Sequence, residues 1–400
     1  MALAPIETGL VGHLYHALLL ARDRMKTQGK DARRPDVLVI GAGVFGLWVA
    51  RACLDEGLRV AVIEAGPAPG AGASGGPVGA LAPHRPGRAS PLRTLQLDAL
   101  DALPGEIAML EDETGRATGY ARRGRLAPLA TEADRIRALT ETAAAPNAWG
   151  GRGRAWLLEP AAAAEAGLDP AACPSGAFAD DLTAQIVPTA YLAALAAAVG
   201  ARAPIDWGTV CHRVAPGQAD CADGIRSAGA IVVAAGAATG PLLGFPVRGV
   251  KGQAATLDAH LPAGPLITAP GLYVVAHAAG HVAVGSTSEP DWTEPEPDRA
   301  LDDVVERARA LVPRLAGARV ASRWAGLRPR APRPQPLVGA VPGQPGLWLA
   351  TGGFKIALAQ AHQTAPALAR QINDPSASAV PPDLAPSAHA IRSPPPALPA

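Results

Sequence analysis

The sequence predicts an α/β fold, in which a discontinuous Rossmann-type nucleotide-binding domain carries an inserted antiparallel β-rich domain. Three observations support this prediction. A glycine-rich turn at residues 41–46 joins an apolar segment to a helical one. Further apolar segments at 229–236 and 346–350 are typical of buried parallel strands. Residues 247–257 and 273–286 instead alternate between apolar and polar side chains, as antiparallel hairpins do.

The first element is a β-α-β unit. Residues 36–40 are predicted to form a buried strand, residues 44–56 a helix, and residues 59–64 the next strand. Near the other end of the chain, a helix is predicted from about residue 356 to residue 372, directly after the apolar segment 346–350. These elements belong to one parallel sheet with helices packed on it.

The turn inside this unit, Gly41-Ala-Gly-Val-Phe-Gly46, fits the G-x-G-x-x-G pattern of dinucleotide sites. Gly41 permits the tight turn, Gly43 lets a pyrophosphate approach the backbone, and Gly46 lets the helix pack closely on the strand. The helix N-terminus offers free N–H groups to the phosphates. Glu64 ends the second strand, where an acid can bind a ribose hydroxyl and disfavours the 2′-phosphate of NADP.

The segment after the second strand favours FAD over NAD. Residues 70–84 consist mainly of glycine, alanine and other small residues, which allow the backbone to run beside a long cofactor. Ser74 lies in this segment and can donate a hydrogen bond to a phosphate. Since NAD sites seldom need so long a run of small residues here, the sequence predicts FAD as the cofactor.

A chain of 400 residues is long enough for two or three domains. Local composition and motif positions divide the chain into an N-terminal appendage, an FAD-binding domain in three pieces, a substrate domain in two pieces, and a disordered tail rich in Pro, Ala and Ser. The appendage is predicted at 1–35 and the disordered tail at 374–400. The FAD-binding domain is predicted to comprise 36–110, 175–245 and 320–373, and the substrate domain 111–174 and 246–319.

Composition narrows the class of protein. The 36 Lys and Arg residues nearly balance the 35 Asp and Glu residues, which gives no support for general binding to nucleic acid or membrane surfaces. No apolar run reaches the length of a bilayer span, and no basic leader precedes the N-terminal apolar stretch, so we expect a cytoplasmic protein. No metal site is predicted. The four cysteines favour free thiols, with a Cys211–Cys221 disulfide as the alternative.

Beyond these patterns, the chain resembles the D-amino-acid oxidase superfamily of FAD-dependent oxidoreductases, in particular the glycine oxidases, over about residues 36–372. It is also similar to the FAD domain of the bifunctional tRNA wobble-uridine modification enzyme, in blocks near residues 73–79, 90–92 and 248–253. The first resemblance rests on the fingerprint with Glu64; the loop 73–84; Tyr273 with 285–287; and 324–329 followed by 336–339 and 350–355.

The resemblance implies an FAD-dependent amine or amino-acid oxidase or dehydrogenase. Such enzymes oxidise the C–N bond of a small amino acid or secondary amine by hydride transfer to flavin N5. The imine that results then hydrolyses, and O2 or another acceptor takes the electrons. Because the flavin carries the chemistry, no nucleophilic side chain is required. The expected partners are therefore the amine substrate and the acceptor, without nucleic acid or membrane, and the oligomeric state is not predicted.

The resemblance also implies four catalytic residues. Arg328 matches the arginine that binds the substrate carboxylate, for which a planar guanidinium is suited. Tyr273 matches a tyrosine that lines the substrate site, and His84 matches a loop position close to the flavin. Lys355 would place a cation near flavin N1 and O2, where it stabilises the reduced ring. For Arg328, Tyr273 and His84, the alternative is a purely structural role.

The cofactor contacts carried over from the family fall into groups. The fingerprint and the end of the second strand serve the phosphates and ribose; residues 78–80 run under the isoalloxazine; Val210 contacts adenine; and residues 352–356 cradle the pyrimidine edge. The full set is Gly41, Gly43, Val44, Phe45, Gly46, Glu64, Ala65, Ala73, Ser74, Val78, Gly79, Ala80, Val210, Gly236, Gly352, Gly353, Phe354, Lys355 and Ile356.

Two departures from the family pattern leave the substrate open. Lys355 stands where glycine oxidases have an arginine, and lysine cannot make a planar two-point contact. Residues 331–335 replace the usual Thr-Pro-Asp-Gly turn. Two alternatives therefore accompany the main hypothesis. One is an oxidase of a larger amine, such as carboxymethylaminomethyl-uridine in tRNA, with the arginines of 319–333 as its entry surface. The other is an FAD-binding paralogue without amine turnover.

Overall fold

The computed structural model describes residues 34–391 except residues 88, 278, 279 and 378. Most of the predicted N-terminal appendage and the last nine residues of the predicted tail lie outside this range. The fold is mixed α/β, with a Rossmann-type parallel sheet beside antiparallel sheets, so the predicted fold class is confirmed.

The elements are bounded as follows. The helices are α1 (Val44–Asp55), α2 (Pro91–Thr114), α3 (Glu132–Trp149), α4 (Pro160–Glu165), α5 (Pro188–Gly200), α6 (Thr239–Leu243), α7 (Ala300–Leu311) and α8 (Ala357–Asn373). The strands are β1 (Val37–Ile40), β2 (Val60–Glu64), β3 (Ala80–Leu81), β4 (Ala121–Arg122), β5 (Arg125–Pro128), β6 (Ala155–Leu158), β7 (Ala177–Asp180), β8 (Ala184–Gln185), β9 (Ile205–Trp207), β10 (Cys211–Ala215), β11 (Gln218–Cys221), β12 (Gly224–Ser227), β13 (Ala230–Val233), β14 (Arg248–Asp258), β15 (Leu266–Ala269), β16 (Leu272–Ala276), β17 (Val282–Gly285), β18 (Arg319–Arg330), β19 (Leu337–Ala340) and β20 (Leu347–Thr351).

The Rossmann-type sheet has the strand order β19-β20-β13-β1-β2-β9, and all its neighbours pair in parallel except β19 with β20. Side chains of β1 alternate between two cores. Val37 and Val39 face a core that includes side chains of α1, α5 and α8. Leu38 and Ile40 face a second core, under the small sheet β10-β11-β12. Since both faces are covered, β1 is apolar throughout, as the sequence predicted.

The second large sheet has the order β18-β14-β17-β16-β15-β5-β7-β6. Its neighbours are antiparallel, apart from the parallel pair β15 and β5. Helix α7 covers one face through an apolar stripe that includes Leu301, Val305 and Leu311. A separate cluster around Trp149 and Phe178 packs α3 against β5 and β7.

Two strands of this sheet pair across the predicted domain boundaries. The prediction assigned 175–180 and 320–330 to the FAD-binding domain, whereas β7 pairs with β5 and β6, and β18 pairs with β14 along its whole length. The register of the second pair runs from Arg248 opposite Arg330 to Asp258 opposite Arg319. That pairing joins segments distant in the chain, and neither segment alone shows which sheet it enters.

The predicted disorder from Asp374 onward is also wrong for the residues described. Two short helical turns, Pro382–Leu384 and Pro386–His389, pack beside β19. Leu384 is 2% exposed and joins the helix-covered core, while Ile391 is 5% exposed and joins the opposite core. A few well-placed apolar residues therefore anchor a segment whose average composition is typical of disorder. The segment wraps the edge strand of the sheet.

Three further findings concern the described residues alone. All four cysteines are free, although Cys211 lies opposite Cys221 in the β10–β11 register. No group of three or more His, Cys, Asp or Glu side chains is arranged to hold a metal ion. None of the helices α1–α8 combines the length and hydropathy that a bilayer span requires.

Candidate active site

A cavity of about 550 Å³ lies where the parallel strands end. Ile40 at the end of β1, Glu64 at the end of β2, Ala234 after β13 and Thr351 at the end of β20 all line it. This is the edge at which open α/β sheets bind their ligands. The second large sheet contributes the opposite wall, including Arg328 of β18. The volume is within the range typical of cofactor and ligand sites.

Glycine is needed for a different reason at each position of the fingerprint. Gly41 has a φ of 106°, and a β-carbon there would lie 2.5 Å from the carbonyl oxygen of Ala234. A β-carbon on Gly46 would lie 1.8 Å from the carbonyl oxygen of Gly41, so α1 could not pack as closely. Gly43 differs, because its β-carbon would meet only Ser74 Oγ, at 3.4 Å, on the cavity side. Protein packing does not demand glycine at this position, whereas close approach of a pyrophosphate does.

Backbone N–H groups fix the polar side chains at this end of the cavity. The Glu64 carboxylate accepts from Ala42 N at 2.6 Å and from Gly66 N at 2.8 Å. It retains further lone pairs that can accept from ribose hydroxyls. Ser74 Oγ accepts from Val44 N at 3.2 Å, in the first turn of α1. Its hydroxyl proton stays available for a phosphate oxygen, so these residues fit the adenosine and diphosphate parts of FAD.

Arg328 is the main polar feature at the other end. Its Nη1 donates to the carbonyl oxygen of Thr287 at 3.0 Å, and its guanidinium fills the space beside Gly252, where a β-carbon would lie 1.8–2.1 Å from it. Burial lowers the pKa of Arg328 below its ordinary value, while the nearby Tyr273 and Glu289 oppose that shift. The guanidinium is thus held by backbone, with donors left for a ligand.

Lys355 lines the same cavity. The backbone connects its segment to the strand that carries Arg328, since Phe354 N donates to the carbonyl oxygen of Pro329 at 3.1 Å. Loss of hydration lowers the pKa of the Lys355 amine, and repulsion from Arg328 and Arg330 lowers it further. Helix α8 begins at Ala357, immediately after this segment. Its N-terminal dipole adds to the positive potential here.

Most residues predicted for the site line the cavity. Gly46, Gly352, Gly353 and Ile356 do not. The three glycines lie where a β-carbon would collide with a neighbour, as one on Gly353 would at 2.5 Å from the Phe45 ring. The predicted residues that line it are Gly41, Gly43, Val44, Phe45, Glu64, Ala65, Ala73, Ser74, Val78, Gly79, Ala80, Val210, Gly236, Tyr273, Arg328, Phe354 and Lys355.

His84 lies outside the cavity wall. Its backbone N donates to Gln96 Oε1 at 3.1 Å, its ring Nδ1 contacts the same oxygen, and the residue is not part of the cavity wall. Burial lowers the pKa of the imidazole. The structural alternative therefore describes His84 better than a catalytic role does.

Sequence reasoning missed Trp324 and Ser286, which also line the cavity. The Trp324 ring lies against two glycines, since a β-carbon on Gly76 or Gly326 would come within 2.8 or 2.5 Å of it. Trp324 was noted as part of a family motif, but no local pattern showed that its ring would lie in the cavity. That placement depends on the loop 73–76 meeting strand β18 in the fold.

Two arginines of the predicted entry surface pair with acids in the described residues. Arg319 pairs with Asp258 at 2.9 Å and Arg323 with Asp302 at 2.6 Å. Arg333 donates to the carbonyl oxygen of Ala388 at 3.2 Å, and Arg328 points into the cavity. Acidic partners therefore neutralise part of the stretch 319–333.

Comparison with known families decides the assignment. The model of the FAD dependent oxidoreductase family (DAO) matches residues 36–371. The chain belongs to this family. The predicted family, the FAD cofactor and the assignment as an FAD-dependent oxidoreductase are thereby confirmed.

The chain is also similar in sequence and in structure to individual proteins. A glycine oxidase of Pseudomonas putida is 39% identical over 143 residues, which span 34% of this chain and 39% of that protein. The thiamine biosynthesis oxidoreductase ThiO of Rhizobium etli is 34% identical over 323 residues, 76% of this chain and 86% of that protein. Among solved structures, glycine oxidase from Geobacillus kaustophilus superposes with a TM-score of 0.78 at 25% identity, covering 88% of this chain and 98% of that one.

Proposed function

We propose that this enzyme oxidises the C–N bond of a small amino acid or carboxylated secondary amine. The observation that carries the proposal is Arg328. Its guanidinium projects into the cavity that fits FAD, held by the Thr287 carbonyl and the space beside Gly252. A planar cation that leaves donors free toward the ligand is suited to a carboxylate.

The roles of the residues follow from this arrangement. FAD, when bound, supplies the two-electron oxidising chemistry that no side chain here can supply. Arg328 binds the substrate carboxylate and so fixes the distance of the neighbouring carbon from the cofactor. Tyr273, on the same wall, offers a phenol hydroxyl to that carboxylate or to the amine. The Trp324 ring excludes water from the substrate end.

Three further parts of the proposal have separate support. We take O2 as the electron acceptor, because the relatives named above include glycine oxidases. The four free thiols support a reducing compartment, and hence a cytoplasmic location. We also retain the division into an FAD-binding and a substrate domain, with β7 and β18 moved to the latter.

The test is anaerobic reduction of the FAD-loaded protein. We expect one or more of glycine, sarcosine, proline and small D-amino acids to bleach the oxidised flavin absorbance. Arg328→Met should lower kcat/KM for that compound by about 100-fold or more, since a charge-assisted bidentate contact is lost. Arg319→Met is the matched control, because Arg319 lies on the same strand but is exposed and pairs with Asp258; it should leave kcat/KM unchanged.

The alternatives give different results. If small amines leave the flavin oxidised but modified tRNA reduces it, the larger-amine hypothesis replaces this one. If the protein holds FAD and no amine of either size reduces it, the chain is a paralogue without amine turnover.

A further inference from the structure

Two cations at the substrate end of the cavity have no carboxylate partner. Elsewhere in the described residues, arginines commonly pair with an acid, as Arg125 does with Asp180 at 2.6 Å. Neither Arg328 nor Lys355 forms such a pair within the part of the chain that the structure describes. Both line the cavity. The site therefore carries two positive charges that its own residues leave available.

The two charges are neighbours. Residues 353–355 run beside the end of β18, through a bridge between Gly353 and Arg330 and the hydrogen bond from Phe354 N to Pro329 O. Repulsion from Arg328 contributes to the lowered pKa of Lys355. Placing like charges together costs free energy, which an anion bound between them would offset.

Nearby acids compensate for only part of this charge. Glu289 is close enough to raise the pKa of Arg328, but no salt bridge joins the two side chains in the described residues, and the Glu289 carboxylate instead accepts from Gln253 Nε2 at 3.0 Å and from Thr287 Oγ1. Glu64 is the acidic residue among the described cavity-lining residues, and it lies at the adenosine end, bonded to two backbone N–H groups. A single substrate carboxylate on Arg328 would leave the Lys355 charge unmatched.

We propose that the preferred substrate is an amine with two anionic groups, such as an N-carboxymethyl amino acid or an amino dicarboxylate. Arg328 binds one carboxylate, and Lys355 binds the second. A lysine suits this second role because its ammonium is a point charge on a flexible stem and needs no planar match. The proposal rests on the proposed function and specifies the substrate class of the same site.

Anion binding tests the proposal without turnover. The FAD-loaded protein is titrated with the non-reactive anions acetate, malonate and succinate, and binding is followed by the shift in the visible flavin spectrum. We expect the better dicarboxylate to bind at least about 10-fold more tightly than acetate, as a second charge-assisted contact forms. Lys355→Met should abolish this advantage, and Lys355→Arg should retain most of it.

The pH dependence has a defined sign. Because the pKa of Lys355 is lowered from its ordinary value of 10.5, the ammonium is lost at a pH below 10.5. The advantage of the dicarboxylate should therefore shrink as pH rises through that lowered pKa, because acetate on Arg328 should lose less affinity than a dicarboxylate that also contacts Lys355. Lys355→Arg should remove this alkaline loss, since arginine remains protonated.

Steady-state kinetics separates this inference from the proposed function. N-carboxymethylglycine should exceed sarcosine in kcat/KM by about 10-fold or more, and Lys355→Met should equalise the two. Turnover of small amines with no preference for two carboxylates would overturn the inference and leave the proposed function standing. An equal loss for both substrates in Lys355→Met would assign the lysine to the cofactor instead, which also overturns it. Absence of turnover with any amine would sink the proposed function itself.

Discussion

At the scale of single residues, the guanidinium of Arg328 on β18 occupies the space that a side chain on Gly252 of β14 would fill. A β-carbon on Gly252 would lie within 2.1 Å of three guanidinium atoms. An arginine side chain is flexible, so the conflict would be resolved by moving the guanidinium rather than by unfolding the strand pair. The direction of Arg328 therefore depends on the absence of a side chain on the neighbouring strand.

We expect Gly252→Ala to fold and bind FAD but to lose about 10- to 100-fold in kcat/KM. The magnitude corresponds to about 1.5–3 kcal/mol for a displaced hydrogen bond to a charged group. Acetate affinity, measured from the flavin spectrum, should fall in parallel. Gly105→Ala in α2 is the matched control, because nothing lies within 4 Å of a β-carbon there. Unchanged substrate kinetics in Gly252→Ala would show that the guanidinium position does not limit catalysis.

Residues could be predicted from the sequence where the elements that position them are consecutive in the chain. The glycine fingerprint with Glu64 could be read because strand, turn and helix are consecutive in the chain. Gly252 and the placement of the Trp324 ring could not be read in the same way. Each matters only through contact with a residue from another segment, and one sequence carries no signal of that contact.

At the scale of elements, β14 anchors the segment that follows β17. Lys251 N and O bond to the backbone of Glu289, and Lys251 Nζ lies 2.6 Å from Asp298 Oδ2. The fully buried Gln253 side chain bonds to both Glu289 and Asp298. Thr287, whose carbonyl oxygen holds Arg328, lies in this anchored segment. Besides its direct contact through Gly252, strand β14 thus positions Arg328 indirectly, through Thr287.

The two ends of the Lys251–Asp298 ion pair should respond unequally to mutation. Lys251 is 2% exposed, so Asp298→Ala leaves a buried ammonium without its partner. Lys251→Met leaves a carboxylate that water can solvate, because Asp298 is exposed. Urea unfolding with saturating FAD should show the larger loss of stability for Asp298→Ala. The double variant should recover part of that loss, and a purely additive double variant would contradict the explanation.

The domain boundaries could not be predicted fully from the sequence, because they depend on which strands pair. Strands β1, β2, β13 and β20 were predicted because each is a compact apolar run in a fully covered sheet. Strand β18 is an edge strand with mixed polarity, and its partner β14 lies far from it in the sequence. Nothing in residues 320–330 indicates that they join β14 rather than the parallel sheet, so the prediction placed them in the FAD-binding domain.

At the scale of the whole molecule, the C-terminal segment joins the two cores of the parallel sheet. Leu384→Ala should cost about 2–5 kcal/mol of unfolding free energy, the usual range for a buried leucine. Leu139→Ala on α3 is the control, since Leu139 is 51% exposed and should cost about 0.5 kcal/mol or less. Equal effects in urea unfolding would mean that the segment does not contribute to the core in solution.

The cofactor cavity draws its walls from both ends of the chain, from Ile40 to Ala80 and again from Trp324 to Leu358. Strand β20, which ends at Thr351, can pair between β13 and β19 only after the chain has been synthesised to that residue. During synthesis on the ribosome, most of the polypeptide must therefore emerge before it can retain FAD. Nascent chains cut short before Trp324 lack one wall of the cavity and should stay colourless. In the purified protein, retained flavin colour therefore reports that translation has passed the last segment of the cavity wall.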